Sequence, residues 1–473
     1  MAFLMVTTAI VVVYGIISGR YERALAIGAI TPAGAAIVAG GESLPTFYAV
    51  ALVGAALLAL QWIARSGRPG SPRLGEIPGV SLLLALFGWS ALVVLLAPLA
   101  FPGMQTVTEG RWNLVPGVLN SSNIAQLLYL GLGVVIIVIL ARSRTTAPSL
   151  LAIPLAAGVI LSLWRYLSIS AGVPFPEGAF ANSPSFHYIE QAAGGVPRFR
   201  GIHSEPAGLA GTSIAAAAFG MSMAAHTRGG RRIAAIALAA GGIFLGIVST
   251  STTFLVAGAV LLALAGVVMV WRLVRLDLRV SSAGAVSALA VAAIAIVALP
   301  SLATLFTAEV DEKLESDSFD HRSTADARSF DLFTRTWGMG IGLGSVRASS
   351  LVFTLLGAVG VVGVILLVAA VLAIVLPSLR LRAHAPVVWA LVAALTGKVI
   401  ASPDLADSSG ILWLSLGILA HGIVTARGAP LAAAAGRRRS VRGLARSARA
   451  ALARARGDEP RGSRRRRTSV ADI

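Results

Sequence analysis

Residues 350–376 read SLVFTLLGAVGVVGVILLVAAVLAIVL and contain no Asp, Glu, Lys or Arg. About 20 predominantly apolar residues suffice to cross the hydrocarbon core of a bilayer as a helix. Ser349 and Ser350 stand where hydroxyls cap a helix start, and Arg380 and Arg382 close the far side. The pattern recurs along the chain. Apolar stretches lie near 3–18, 24–40, 45–63, 79–101, 123–141, 148–166, 207–226, 233–249, 252–271, 282–305, 385–401 and 410–426. With the first stretch they predict an all-α polytopic membrane protein of about thirteen spans. Composition agrees: hydrophobic residues are 56% of the chain and charged residues 13%, against about 25% charged in soluble domains. The mean hydropathy is +0.82. There is no cysteine, which excludes disulfides and thiolate metal sites.

Arginine predicts the orientation. Alternate connections carry Arg20 and Arg23, then Arg65, Arg68 and Arg73, then Arg142 and Arg144, then Arg228, Arg231 and Arg232, then Arg272, Arg275 and Arg279, then Arg380 and Arg382. The intervening short connections near 41–45, 102–122, 250–251 and 402–409 are nearly free of Lys and Arg. Positively charged short loops stay cytoplasmic, so the N-terminus is expected outside and the C-terminus inside a plasma membrane. Two long connections, 167–206 and 306–349, then fall on the outer face. Long loops of this kind usually carry function. The domain reading is a membrane domain over 1–426 and an Arg-rich cytoplasmic tail over 427–473.

The formal net charge is +18, but 14 Arg against three acids put +11 of it in the tail, leaving +7 for the rest. Within 441–456, Val441, Leu444, Ala448, Leu452 and Ala455 share one helical face, with Arg442, Arg446, Arg449 and Arg456 around it. This predicts an amphipathic helix on anionic membrane lipids. Adjacency to the last span favours lipid over nucleic acid as its partner.

No acidic residue falls in the middle of a predicted span, which argues against a proton-coupled transporter, whose ion path needs an ionisable group there. Lys398 is expected to form an internal pair, His421 to be a packing residue, and Arg165 to snorkel beside Trp164 and Tyr166.

The outer connections hold the chemistry. Residues 198–211 read RFRGIHSEPAGLAG. Pro206 suits the first turn of a helix, which puts Ser204 and Glu205 at its N-terminus, where free N–H groups favour anions. Arg198 and Arg200 just upstream make a plausible phosphate or diphosphate clamp. Glu205, and second to it His203, could take a proton from a sugar hydroxyl. Equally, Glu205 could cap the helix and pair with Arg198 or Arg200. A second cluster runs from Asp320 through Arg322, Arg328 and Arg335 into GMGIGLGSVRASS at 338–350, which includes Arg347. Its alternating glycines permit a close backbone approach to a ligand, or serve a re-entrant turn. The third feature is the turn STSTT at 249–253, whose hydroxyls could simply cap helix ends. Together these groups fit an anionic lipid-linked substrate.

The ordered set resembles the O-antigen polymerase and ligase superfamily. RFRGIHSEPAGLAG resembles the family's Arg-x-x-Gly-x-x-x-Glu-Pro before a span, and STSTTFLVAG its Ser/Thr-rich turn. RTWGMGIGLGSVRASSLVFTLLGAVGVVG, 335–363, resembles its Gly-rich loop with a Ser-Ser helix start and a closing Gly-x-x-Gly. Ligases of the family carry a His-Asn pair where this chain has Ala348-Ser349-Ser350, so the resemblance favours a polymerase. It implies a GT-C-like fold and a glycosyltransferase acting on polyprenyl-diphosphate-linked glycans, with neither metal nor other cofactor. Arg198 and Glu205 match the family's Arg and Glu, and Arg347 matches an arginine of some polymerases. On this expectation Arg198, Arg200 and Arg347 bind the diphosphate and Glu205 or His203 is the base. Arg322, Arg328 and Arg335 are secondary contacts, and a chain-length regulator is a candidate partner. A ligase, or a transporter or flippase for polysaccharide precursors, are the alternatives.

Overall fold

The computed structural model describes residues 2–39, 42–64, 72–108, 110, 112–184, 188, 190, 198–274 and 317–427. The expected span at 282–305, the Arg322 side chain and the tail from 428 lie outside the described residues. The chain divides into a body, Met1–Ile423, and a unit beginning at Val424.

The body is mostly helical, with buried apolar side chains forming one core. Its helices are α1 Ala2–Ser18, α2 Tyr21–Gly28, α3 Thr46–Ile63, α4 Val80–Ala100, α5 Ser121–Arg142, α6 Ala152–Ala171, α7 Glu177–Phe180, α8 Pro206–His226, α9 Gly230–Val248, α10 Thr252–Val274, α11 Asp317–Arg335, α12 Leu351–Ser378 and α13 Ala385–Ala401. A further helix, α14, starts at Ile411 and runs to Arg427. Among the described residues nine helices are long and apolar enough to cross a membrane, and Phe3–Ser18 and Ile411–Arg427 are shorter apolar helices. The chain is thus a multi-pass membrane protein by helix length and composition. Many apolar side chains on the outside of the bundle, such as Ile17, Ile233 and Val267, stay exposed, as expected of surfaces that face lipid rather than water.

The expected helix over 24–40 is not there. α2 stops at Gly28, and Ala35–Ala39 (β1) pairs antiparallel with Glu42–Pro45 (β2). The reason is local: Thr31-Pro-Ala-Gly34 follows the helix, and proline cannot donate a helical hydrogen bond. The freed Gly28 carbonyl accepts from the Thr46 hydroxyl at 2.8 Å. The segment nonetheless joins the two ends of the bundle. Glu22 accepts from Ser143 and Thr145 at the end that carries the short arginine loops. The Ala35 N–H donates to Asn182 at the opposite end, that of Glu205.

α12 is also broken. Gly360 has φ +64° and ψ −167° inside it, a left-handed backbone that suits glycine. The break frees three successive carbonyls. Gly357 accepts from Ile341 N, Ala358 from Gly342 N, and Val359 from Trp89 Nε1 at 2.8 Å. The glycine-rich loop 338–344 is therefore laced to α12 like a strand.

Candidate functional site

A cavity of about 560 Å³ opens among the connections at the Glu205 end. Its charged lining is Glu42, Glu205, Arg347, Lys398, Asp404 and Asp407, with His203 beside them. Three of the residues expected in the site, Glu205, His203 and Arg347, are thus brought together.

Glu205 is the N-cap residue of α8 by backbone conformation, and Pro206 is the first helical residue, as the sequence predicts. Its carboxylate makes no capping bond, nor any hydrogen bond or ion pair among the described residues. The Glu205 carbonyl accepts from Gly208 and Leu209 N–H instead. α8 meets α13 where Gly397 lies against Gly211, close enough that a side-chain carbon on Gly397 would be 3.6 Å from the Gly211 Cα. Small residues allow helices to approach this closely in a membrane, and the approach carries the neighbouring Lys398 to the cavity.

Arg198 and Arg200 stand elsewhere. Arg200 is buried. Its Nε donates to Glu190 at 2.8 Å, its Nη2 to Glu177 at 2.6 Å and its Nη1 to the His203 carbonyl at 2.8 Å. Its guanidinium also lies 4.9 Å from the centre of the Tyr188 ring. Arg165 binds the same two carboxylates and the Gly201 carbonyl. It does not snorkel: it is buried and ion-paired, because the long loop brings Glu177 and Glu190 to it. Burial and the neighbouring Arg165 lower the pKa of Arg200, outweighing the support of Glu190 and Glu177. Burial raises that of Glu190, but hydrogen bonds from Arg165 and Arg200 prevail and hold it below the ordinary carboxylate range. This network fixes the loop that carries His203 and Glu205. Arg198 reaches the Thr250 carbonyl at 3.5 Å, so it sits against the Ser/Thr turn, in which Thr250 has φ +47°. Arg328 and Arg335 are exposed on α11, where Arg335 pairs loosely with Asp331.

His203 is buried, and its Nε2 has no hydrogen-bond partner among the described residues. Burial pushes its pKa down to about 4, against a smaller opposing effect of Asp407. It is therefore neutral at pH 7.

Arg347 is placed by the glycine-rich loop. Gly338, Gly340, Gly342 and Gly344 all have positive φ. A side-chain carbon on Gly344 would lie 2.5 Å from the Ser122 carbonyl oxygen, and one on Gly340 2.6 Å from Ala358. The glycines thus admit helix backbones, and Gly344 also lines the cavity. Asn123 donates to the Leu343 carbonyl and to the Ser345 hydroxyl. Arg347 N donates to the Val107 carbonyl at 2.6 Å. Ser350 caps α12, but Ser349 does not cap: it binds Asp326 on α11 through both its N–H and its hydroxyl.

No family model matches this sequence, and no curated protein matches it either. Function must therefore be argued from the cavity itself.

Three cavity residues are absent from the sequence-based site. Lys398 does form the expected internal pair, 3.9 Å from Asp407, and donates to the Asp404 carbonyl at 2.9 Å. Asp407 is buried and caps the start of α14, accepting from Leu412 N at 2.7 Å and from Ser409 at 2.6 Å. Asp404 approaches Arg347 at 3.5 Å. A signal for them exists: Lys398, Asp404 and Asp407 fall within ten positions, at the end of one apolar stretch and in the short connection to the next. On the opposite wall Tyr129 stacks on Tyr48 at 4.4 Å. Next to it the Gln126 amide has no hydrogen bond among the described residues. A proton acceptor, two cations, stacked aromatics and a free amide share one cavity. That set can bind an anion beside a hydroxylated ligand and deprotonate the latter.

Proposed function

We propose that this protein is a membrane glycosyltransferase. It joins polyprenyl-diphosphate-linked oligosaccharide units into a cell-surface polysaccharide on the outer face of the plasma membrane. One observation carries the proposal: the Glu205 carboxylate has no hydrogen-bond or ion-pair partner among the described residues and stands at a helix N-terminus, in a cavity it shares with Arg347 and Lys398. The ordered motifs that resemble O-antigen polymerases support it independently. Span count and orientation follow the arginine alternation, with the N-terminus outside.

In this mechanism an acceptor sugar hydroxyl attacks the anomeric carbon of the donor. The bond between that carbon and the diphosphate oxygen breaks, and the lipid diphosphate leaves with the electron pair. The hydroxyl proton passes to Glu205, a transfer of the kind that contributes about 10²–10⁴ in rate. Arg347 stabilises the charge growing on the diphosphate, as preorganised electrostatics requires. Arg200 is a positioning residue in this scheme, since its guanidinium is taken by Glu177 and Glu190.

The test is Glu205→Gln in a polymerase-deficient host, at matched membrane levels, with lipid-linked product length read on gels. The expected result is arrest at single units. Polymer of normal length would refute Glu205 as the base. Accumulation of long lipid-linked chains would instead mark a ligase. Precursor flipping by the purified protein in liposomes, without chain growth, would mark a transporter.

A further inference from the structure

Arg347 and Lys398 reach the cavity from different elements, and both touch one residue. Arg347 Nη2 is 3.5 Å from Asp404 Oδ2, and Lys398 Nζ donates to the Asp404 main-chain carbonyl at 2.9 Å. The two contacts differ in kind. The Arg347–Asp404 pair is loose. A charge-assisted N–H to O bond is usually about 2.7–2.9 Å, and these side chains are 44% and 36% exposed. An exposed ion pair of this sort contributes about 0–1 kcal/mol. Asp407 behaves differently. It is buried, accepts from Leu412 N and Ser409, and is fixed as a helix cap. Of the two aspartates beside the cations, only Asp404 can leave its cation at small cost.

We infer that Asp404 is a placeholder: its carboxylate occupies, on Arg347, the position that a diphosphate takes when substrate enters, and Arg347 with Lys398 then forms a two-cation anion site. This rests on the diphosphate chemistry proposed above and deepens it. A diphosphate presents several acceptor oxygens where Asp404 presents one toward Arg347, so it can engage both cations at once. Arg347 prefers such planar, bidentate recognition, and Lys398 supplies a point charge. A single carboxylate ligand gains no such second contact and competes with Asp404 on equal terms. The placeholder therefore discriminates against monovalent anions.

The experiment measures binding of farnesyl diphosphate, inorganic pyrophosphate and farnesol to the full-length protein in nanodiscs. Asp404→Asn removes the competing charge and keeps the side-chain shape. It is expected to tighten farnesyl diphosphate about fivefold, the size of an exposed ion pair, and to leave farnesol unchanged. Inorganic pyrophosphate should tighten by the same ratio at a weaker absolute affinity, because the effect sits on the anion and not on the chain. Lys398→Gln is expected to weaken both diphosphates at least tenfold. Asp404→Ser provides the same test should the Asn variant fail to fold. Unchanged or weaker diphosphate binding in both Asp404 variants overturns the placeholder while leaving the diphosphate site intact. A wild-type protein that binds farnesyl diphosphate no better than farnesol removes the diphosphate reading itself, and the placeholder with it.

Discussion

Arg200 separates a substrate contact from a positioning residue. Truncating it to Ala removes two ion pairs, one hydrogen bond to the His203 carbonyl and one aromatic contact. Glu177 and Glu190 are 54% and 53% exposed, so each pair is worth about 0.5–1 kcal/mol rather than a buried-pair value. The charged bond to the His203 carbonyl is worth about 1.5 kcal/mol, and the contact with Tyr188 about 0.5–1 kcal/mol. Arg165 still holds both carboxylates in the variant, which trims the total to about 3 kcal/mol. That cost falls on the loop 198–205. It corresponds to about a 100-fold rise in local opening. Hydrogen exchange measured by mass spectrometry should therefore show the amides of 201–205 exchanging about 100-fold faster, with Arg200→Lys recovering part of the protection. Transferase activity should fall with the lost order. Unchanged protection together with lost activity would refute the structural role and return Arg200 to the substrate.

Two further substitutions test the frame of the site. His203 has a folded pKa of about 4 against an ordinary 6.5, so the folded state resists a proton that the unfolded chain accepts. Its contribution is complete above about pH 6.5 and is lost as the pH falls from there toward 4, a span of roughly 3 kcal/mol. His203→Asn should flatten this acid limb in thermal-melting profiles, and an unaltered limb would count against the burial argument. Gly360→Ala puts a side-chain carbon 1.9 Å from the Gly338 carbonyl oxygen at φ +64°. A strained left-handed residue costs about 1–3 kcal/mol before any clash. The variant should melt several degrees lower or fail to accumulate, whereas Gly266→Ala, with nothing within 4 Å, should behave as wild type.

Much of this was legible in the sequence where the deciding interaction is local. Pro206 at the start of α8 and Ser350 at the start of α12 are such cases, since a cap is read within four residues. The break at 29–45 was half legible. Pro32 and Gly34 stand in the sequence, but Thr46 satisfying the Gly28 carbonyl is a contact across the turn. The glycines of 338–344 announce an unusual backbone without saying what approaches it, and the answer lies in α5 and α12, far along the chain. The buried ion pairs of Arg165 and Arg200 are not legible in the sequence for a related reason. Their partners, Glu177 and Glu190, sit in a long loop whose path no periodicity reveals. The cluster of Lys398, Asp404 and Asp407 is visible as spacing in the sequence, but its place in the cavity with Arg347 and Glu205 depends on elements far along the chain.

The arginine–glutamate lock also accounts for Glu205 having no partner among the described residues. By sequence, Glu205 is the carboxylate nearest Arg200, five residues away, and a simple loop would pair them. A carboxylate held by a guanidinium favours its ionised form and accepts a proton poorly. The chain instead spends two glutamates from the long loop on Arg165 and Arg200, and it leaves Arg198 against the Thr250 carbonyl. Arg200 is thereby committed to Glu177 and Glu190, while Arg347 and Lys398 line the cavity from other elements. The long loop thus acts at a distance from the cavity: its glutamates occupy Arg165 and Arg200, and on the proposed mechanism this keeps the Glu205 carboxylate available for proton transfer.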